Sequence, residues 1–305
     1  MPDIDRERAI LRAVELYYYE GLTQSAISER LGRTRWTVGR LLKEASDSGM
    51  ITVKVDHPRG RRRELEIKLQ DAYGLRAVRV VPKMARHADS LAILVEAASD
   101  YFDDLRPRPR IISVASGRTT VGVLRELPDI PGVTVAQMCP APKEADSPAP
   151  PRPRHGTVAA MPGRPYADTV AEANRMHKNP AIVGPLELSH RADVALFTPS
   201  DLDHESWLVQ GGEISPTQLR LLRSRRAVAT VANRPIDGDG HEVDSELSAR
   251  TVGITFAGLR KAKTRVAVGC HKKQWPGFSA VLKAKLADVL VVDSDTAKYL
   301  LLRNA

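Results

Sequence analysis

Within twelve residues the chain places two threonines and a glycine in an order that one local fold uses in full. Thr23 precedes "QSAISERL", Gly32 follows it, and Thr34 precedes "RWTVGRLLKEA". A threonine ahead of an apolar-periodic run accepts a hydrogen bond from the backbone at a helix start. A glycine after such a run ends it, because it enters the left-handed region at no steric cost. Ala26, Ile27 and Leu31 give the first helix an inner face, and Val38, Leu41 and Leu42 give one to the second. Upstream, from about Asp5 to Gly21, Ile10, Val14 and Tyr17 predict a further amphipathic helix. Downstream, "GMITVKV" (Gly49 to Val55) predicts a β-wing. Helix, short helix, tight turn, helix and strand, in that order, predict a winged helix-turn-helix over residues 1–56.

Such a unit implies a duplex nucleic acid partner. The second helix of the pair enters the major groove, where arginine forks onto guanine and threonine reaches a thymine methyl or a phosphate. With Val38, Leu41 and Leu42 inward, Arg35, Trp36, Thr37, Gly39 and Arg40 face outward or flank that face. Lys43 is placed for a phosphate, and so are Thr23 and Gln24 at the start of the preceding helix; Arg33 and Thr34, at the turn, complete the candidate surface. Charge agrees: the formal net charge is +9, and residues 1–63 carry 13 Lys/Arg against 9 Asp/Glu. Trp36 has two readings at this stage, contact with DNA or packing against the wing. Gly39 costs a helix about 1 kcal/mol relative to alanine, and its use is read as letting the DNA backbone or Trp36 approach closely.

Residues 57–63 lie within "DHPRGRRRE", a basic linker by composition whose arginines read as a solvated joint. From residue 64 to 305 the pattern changes to helices ("ELEIKLQDAYGL", Ala88 to Leu105, "SPTQLRLLRSR", "SDTAKYLLLRN") among short, nearly all-apolar runs. The runs "AVRVVP", "IISVAS", "VTVAQM", "ADVALFT", "AVATVA", "TVGITF", "RVAVG" and "DVLVVD" predict strands of a mostly parallel, helix-covered α/β sheet. Eight prolines between Cys139 and Pro165 predict a long surface loop there.

On such a sheet a ligand binds at the carboxyl ends of the strands. "ASGRTTVGVL" (Ala115 to Leu124) stands where a strand hands over to a helix; Ser116, Gly117, Arg118, Thr119 and Thr120 there predict a pocket for a phosphate or sugar hydroxyls, with helix capping as the plainer alternative. "VGCHKKQ", with His271, Lys272 and Lys273, and "PIDGDGHE", with Asp237, are two further candidates. The eight histidines show no ligand spacing, so no metal is predicted, and no cofactor motif occurs. Cys139 and Cys270 stand far apart, the N-terminus has no apolar leader and no run is long enough to span a bilayer; these features predict a cytoplasmic protein without a membrane partner.

The stretch "ELYYYEGLTQSAISERLGRTRWTVGRLLKEASDSGMITVKVDHP", with "ASGRTTVGVL", "RADVALFTPSDL" and "VLVVDSDTAKYLL", resembles the SorC-type (sorbitol operon regulator / deoxyribonucleoside regulator) family of sugar-responsive bacterial transcription regulators over nearly the whole length. The resemblance implies a repressor of carbohydrate metabolism genes that binds double-stranded operator DNA as a homodimer or homotetramer. It also implies an effector domain similar to ribose-5-phosphate isomerase and glucosamine-6-phosphate deaminase, which takes a small sugar or sugar phosphate. By that analogy Gly117, Arg118 and Thr119 line the effector site, and Asp237 with Lys272 or Lys273 closes it from the other side. Three glycine motifs of the family depart here, to Phe197-Thr198-Pro199, Val228-Ala229-Thr230 and Val268-Gly269-Cys270, so the effector's identity does not carry over. The departures also weigh against an enzyme in which Asp237 and Lys273 would move protons, and they leave open a regulator with a degenerate effector site.

Overall fold

The computed structural model describes residues 4–51, 60–141, 150–243 and 245–304. The chain divides into two compact units, Met1–Asp56 and His57–Ala305. In the first, α1 (Ile4–Val14) runs into a π-helical turn (Glu15–Tyr19), followed by α2 (Gln24–Leu31) and α3 (Arg35–Asp47). Both threonine caps form: the Thr23 hydroxyl accepts from the Ala26 N–H and Thr34 from the Thr37 N–H. Between them Gly32 takes a φ of 59°, the left-handed value that stops α2. Ile10, Ala13, Leu16, Ile27, Val38, Leu41, Leu42 and Ala45 form the buried core of the unit.

Two expectations for this unit change. The first helix buries Ile10, Ala13 and Leu16; Val14 is half-buried and Tyr17 is exposed. The cause is the π turn, marked by the Glu20 N–H donating to the Glu15 carbonyl: its wider winding carries Tyr17, Tyr18 and Tyr19 off the inner face. The predicted wing at Gly49 to Val55 falls largely outside the described residues, and of it Ile51 packs against the core edge.

In the second unit α4 (Arg63–Tyr73), β1 (Ala77–Val81), α5 (His87–Asp104), β2 (Ile111–Val114), α6 (Arg118–Glu126), β3 (Thr134–Gln137), β4 (Thr157–Ala159), α7 (Val170–Met176), α8 (Pro180–His190) and β5 (Val194–Phe197) come first. There follow β6 (Ser200–Asp201), α9 (Trp207–Gln210), α10 (Pro216–Ser224), β7 (Ala227–Val231), β8 (Arg234–Asp237), α11 (Ser245–Arg250) and α12 (Phe256–Leu259). β9 (Thr264–Gly269), a 3₁₀ turn (Lys272–Gln274), α13 (Trp275–Lys283), β10 (Val289–Asp293) and α14 (Ser294–Asn304) complete it. Seven strands form a sheet in the order β1-β10-β9-β5-β2-β3-β4, and every pairing in it is parallel.

The apolar runs are explained by burial on both faces. Along β10, Leu290 and Val292 join one core with Leu69 of α4, Phe278 of α13 and Leu300 of α14. Val289 and Val291 join the other, with Leu94 and Phe102 of α5 and Val123 of α6. Alternate residues therefore meet opposite helical layers, as a covered parallel sheet requires.

Three sequence expectations are corrected here. "AVATVA" lies in a separate antiparallel sheet, β6-β7-β8, rather than in the parallel one. "TVGITF" is no strand: one isolated bridge joins Thr251 to Tyr166, and Gly253 (φ 132°) brings the backbone against the Met138 carbonyl, where a Cβ would lie 2.8 Å from it. The proline-rich stretch is not loop throughout, since Thr157–Ala159 pairs with β3 as the sheet's edge strand, the position in which neighbouring prolines are tolerated. The linker also differs at its end. Arg61 is half-buried rather than solvated, binding Glu66 through Nε at 2.8 Å and Nη2 at 2.7 Å, while the Arg62 N–H donates to the Val80 carbonyl.

Candidate DNA interface and effector site

On the first unit, Gln24, Arg35, Trp36, Gly39, Arg40 and Lys43 line one open groove of about 600 Å³. The spacing explains why these side chains share a face: positions 35, 36, 39, 40 and 43 recur at helical intervals opposite the buried Val38, Leu41, Leu42 and Ala45. Trp36 is 72% exposed, and the Arg40 guanidinium stands 5.1 Å from its ring centre. Such stacking holds a mobile arginine at the groove without neutralising it. Gly39 forms the floor. A Cβ built there would meet only Gln24 Oε1, at 3.5 Å, so the fold itself leaves room for a side chain. Thr34 and Thr37 share a 2.8 Å hydroxyl contact at the start of α3, where Thr34 is the cap, while Arg33 is exposed beside them.

In the second unit the strand order reverses between β2 and β5. From β2 the chain proceeds outward to β3, and from β5 the later strands lie on the other side. A crevice opens at such a switch point, outside the carboxyl ends of the strands. The sequence-predicted Ser116, Gly117, Arg118 and Thr119 stand there, between β2 and α6, with Ala115 N–H bound to the Leu196 carbonyl of β5. No side chain caps α6 at Gly117, which leaves its first N–H groups facing the crevice mouth. Thr120 is a correction: it is fully buried and its hydroxyl donates to the Ala115 and Gly117 carbonyls at 2.8 and 2.9 Å, so it holds the turn and is closed to a ligand.

The lysine pair sits at the carboxyl end of β9. Lys273 binds Asp203 at 2.7 Å and also Glu205, and Lys272 places its ammonium 5.6 Å from the Trp275 ring centre. Asp201 beside them is held above the usual carboxylate range by burial and by Asp203. Burial raises Asp203 as well, but its bonds to Lys273 and the Glu205 N–H, together with the Lys273 charge, hold it below that range.

Asp237 is a second correction. Its Oδ1 accepts from the Asp239 and His241 N–H groups, both at 2.9 Å, inside its own turn. That turn packs on the far end of α13, where Asp239 binds Lys283 at 3.0 Å and Gly240 abuts Ala280 and Ala284. The lysine pair precedes the near end of the same helix, about 13 Å away at 1.5 Å per residue. Asp237 and Lys273 are therefore not brought together, and the proton-transfer pair that the sequence allowed has no geometry here.

Sequence reasoning missed Lys83, His87 and Asp293, which lie at the same edge of the sheet. Lys83, just after β1, binds Asp293 at 3.3 Å and the Cys270 carbonyl at 3.4 Å. His87, at the start of α5, meets His271 edge to face with ring centres 5.1 Å apart. No motif links these positions; only the adjacency of β1, β10 and β9 does.

Residues 57–302 match the family described as "Putative sugar-binding domain", and residues 5–48 match the one described as "Sigma-70, region 4". The chain is 25% identical to the deoxyribonucleoside regulator of Bacillus subtilis, over 98% of each. It is 25% identical to the sorbitol operon regulator of Klebsiella pneumoniae, over 99% of this chain and 100% of that protein. Among solved structures, that full-length sorbitol operon regulator superposes with a TM-score of 0.70 at 22% identity, covering 98% of this chain and all of the other. The sugar-binding domain of a transcriptional repressor from Vibrio fischeri reaches 0.72 at 17% identity over 80% of this chain and 99% of that one. Each of these relatives is named as a regulator rather than an enzyme.

Proposed function

Since the chain belongs to the SorC-type family of sugar-responsive transcription regulators, we propose that it represses carbohydrate metabolism genes by binding an operator through α3 and releasing it when a small sugar or sugar phosphate fills the crevice at the sheet's carboxyl edge. The observation that carries the reading is the groove on α2 and α3. Arg35, Arg40 and Lys43 make no ion pair among the described residues, and they flank a glycine floor at the N-terminal end of a helix that its buried face orients outward. Arg35 and Arg40 are assigned to base edges, Trp36 to an apolar base contact, and Thr23, Gln24, Arg33, Thr34, Thr37 and Lys43 to the backbone or its neighbouring edges.

Arg40→Ala weakens operator binding by about 1–3 kcal/mol and relaxes specificity at one base pair, whereas Lys43→Ala weakens operator and random DNA alike. Titration of both variants on operator and scrambled duplex separates the two roles, and wild-type binding by Arg40→Ala removes the base-reading assignment. Ser116, Gly117, Arg118 and Thr119 are assigned to the effector. A ligand that binds only the folded state stabilises it by about 2.7 kcal/mol at a hundredfold excess over Kd. A thermal-shift screen against sugars and sugar phosphates therefore reads the effector directly, and a blank screen over a broad panel points instead to a regulator with a degenerate site.

A further inference from the structure

Of the residues that line the groove on the first unit, Gln24, Arg35, Trp36, Gly39, Arg40 and Lys43, a single one carries a side-chain hydrogen-bond acceptor. Arginine, lysine and the indole only donate, and glycine has no side chain. Donors suit the N7 and O6 acceptors of guanine. Adenine presents an acceptor, N7, beside a donor, the N6 amino group, and so needs a partner that does both. We propose that Gln24, reaching from α2 across Gly39 of α3, reads an adenine in the major groove, and that it sets specificity instead of holding a phosphate. The proposal rests on the reading of this groove as the DNA interface and adds the base that its centre demands.

The placement of the carboxamide carries the argument first. Gln24 Oε1 lies 3.5 Å from the point where a Cβ on residue 39 would stand. Residues 35, 36, 40 and 43 flank that point on the outward face of α3, and glycine leaves its centre bare. The neighbouring helix supplies the missing side chain. A reader from α2 is held in place by the same start that forms the helix, since Gln24 directly follows the Thr23 cap.

The neighbouring hydroxyls point the same way. The Thr23 hydroxyl accepts from the Ala26 N–H, and the Thr34 hydroxyl accepts from the Thr37 N–H while meeting the Thr37 hydroxyl at 2.8 Å. All three are engaged in holding the helix starts. The Gln24 carboxamide has no hydrogen-bond partner among the described residues, although the residue is half-buried. Its oxygen and its amino group are therefore both available, as the paired bonds to adenine N6 and N7 require. A guanine at that position would set O6 against the Gln24 oxygen, acceptor facing acceptor, and be rejected.

The full chain is used to select binding sites from a random double-stranded DNA library, in parallel with Gln24→Met. Methionine keeps the length and stem of the side chain and removes its amide. Wild type is expected to enrich a motif containing an adenine that the variant no longer requires, with the other positions kept. Replacing that adenine by the deaza analogue, which carries carbon in place of N7, is expected to weaken wild-type binding about fivefold or more by fluorescence anisotropy, and Gln24→Met less than about twofold. A merely structural glutamine does not produce this difference, because the base is altered and the protein is not. Thermal denaturation confirms that the variant folds.

A motif that Gln24→Met leaves intact, or equal losses on selected and random duplex, makes Gln24 a backbone contact and overturns the proposal. Wild-type binding that the deaza base does not change overturns it as well. If wild type enriches no sequence at all, recognition through this groove fails and the proposal with it. An enriched motif that Arg40→Ala relaxes and Gln24→Met does not removes the proposal alone.

Discussion

Gly39 shows how a residue can be legible in sequence and still be misread in purpose. It stands out as a glycine inside a helix, but Trp36 has no need of the space it leaves: that ring is exposed and lies under Arg40. The only atom near a Cβ would be Gln24 Oε1, at ordinary contact distance. Gly39→Ala is thus expected to stabilise α3 by up to about 1 kcal/mol. If the glycine admits DNA to the groove floor, the same change weakens operator binding, so thermal denaturation and a gel-shift titration move in opposite directions. Unchanged binding leaves Gly39 without a part in recognition. Thr120 is the converse case: its neighbours in "SGRTT" are proposed to meet the effector, but a hydroxyl one turn into a helix reaches back to the turn carbonyls of Ala115 and Gly117. Spacing alone cannot distinguish a group that caps from a group that binds.

Among the elements, the ones read correctly are those whose signals are local. The caps of α2 and α3 and the apolar runs of β1, β9 and β10 are each contained in a few consecutive residues. "TVGITF" carries the same β-branched composition as those runs, but its fate was decided by Gly253 packing on Met138, a contact far away in sequence. The linker's end was misread for a related reason: nothing in "RGRRR" tells which arginine meets a buried carboxylate. Glu66 is wholly buried and binds Arg61, Arg63 and the Val80 N–H. Burial alone would raise its pKa, but the Arg61 and Val80 bonds outweigh it and hold Glu66 below the usual glutamate range. A lowered folded-state pKa contributes stability that is present above the unfolded value and lost as pH falls through the folded one. Glu66→Ala, which strands Arg61 beside β1, is expected to cost about 3–5 kcal/mol at neutral pH. Urea denaturation of wild type and variant shows whether that gap narrows towards about pH 3. A gap that stays constant means that packing, not charge, holds the latch.

For the whole molecule, strand order rather than any motif assembles the crevice. Lys83, His87 and His271 become neighbours because β1 pairs with β10 and β10 with β9, an arrangement no single segment encodes. The parallel α/β class was readable from apolar runs, but which strands adjoin was not, and the site residues missed are those that depend on adjacency. At this scale the regulator is proposed to bind DNA as a homodimer or homotetramer. Paired recognition helices would then match half-sites spaced by about 34 Å or a multiple of it. Inserting half a helical turn between half-sites is expected to abolish binding measured by fluorescence anisotropy, while a full turn restores some of it; equal binding to all spacings argues for single-unit recognition. The position of β10 has one more consequence. Among the described residues β1, the first strand made, pairs in the sheet with β10 alone, the last one made. On the ribosome, α1 to α3 can close their short-range contacts early, whereas the sheet has to wait until Asp293 has left the exit tunnel. For most of translation, a nascent chain with its first unit able to close carries an unfinished second one.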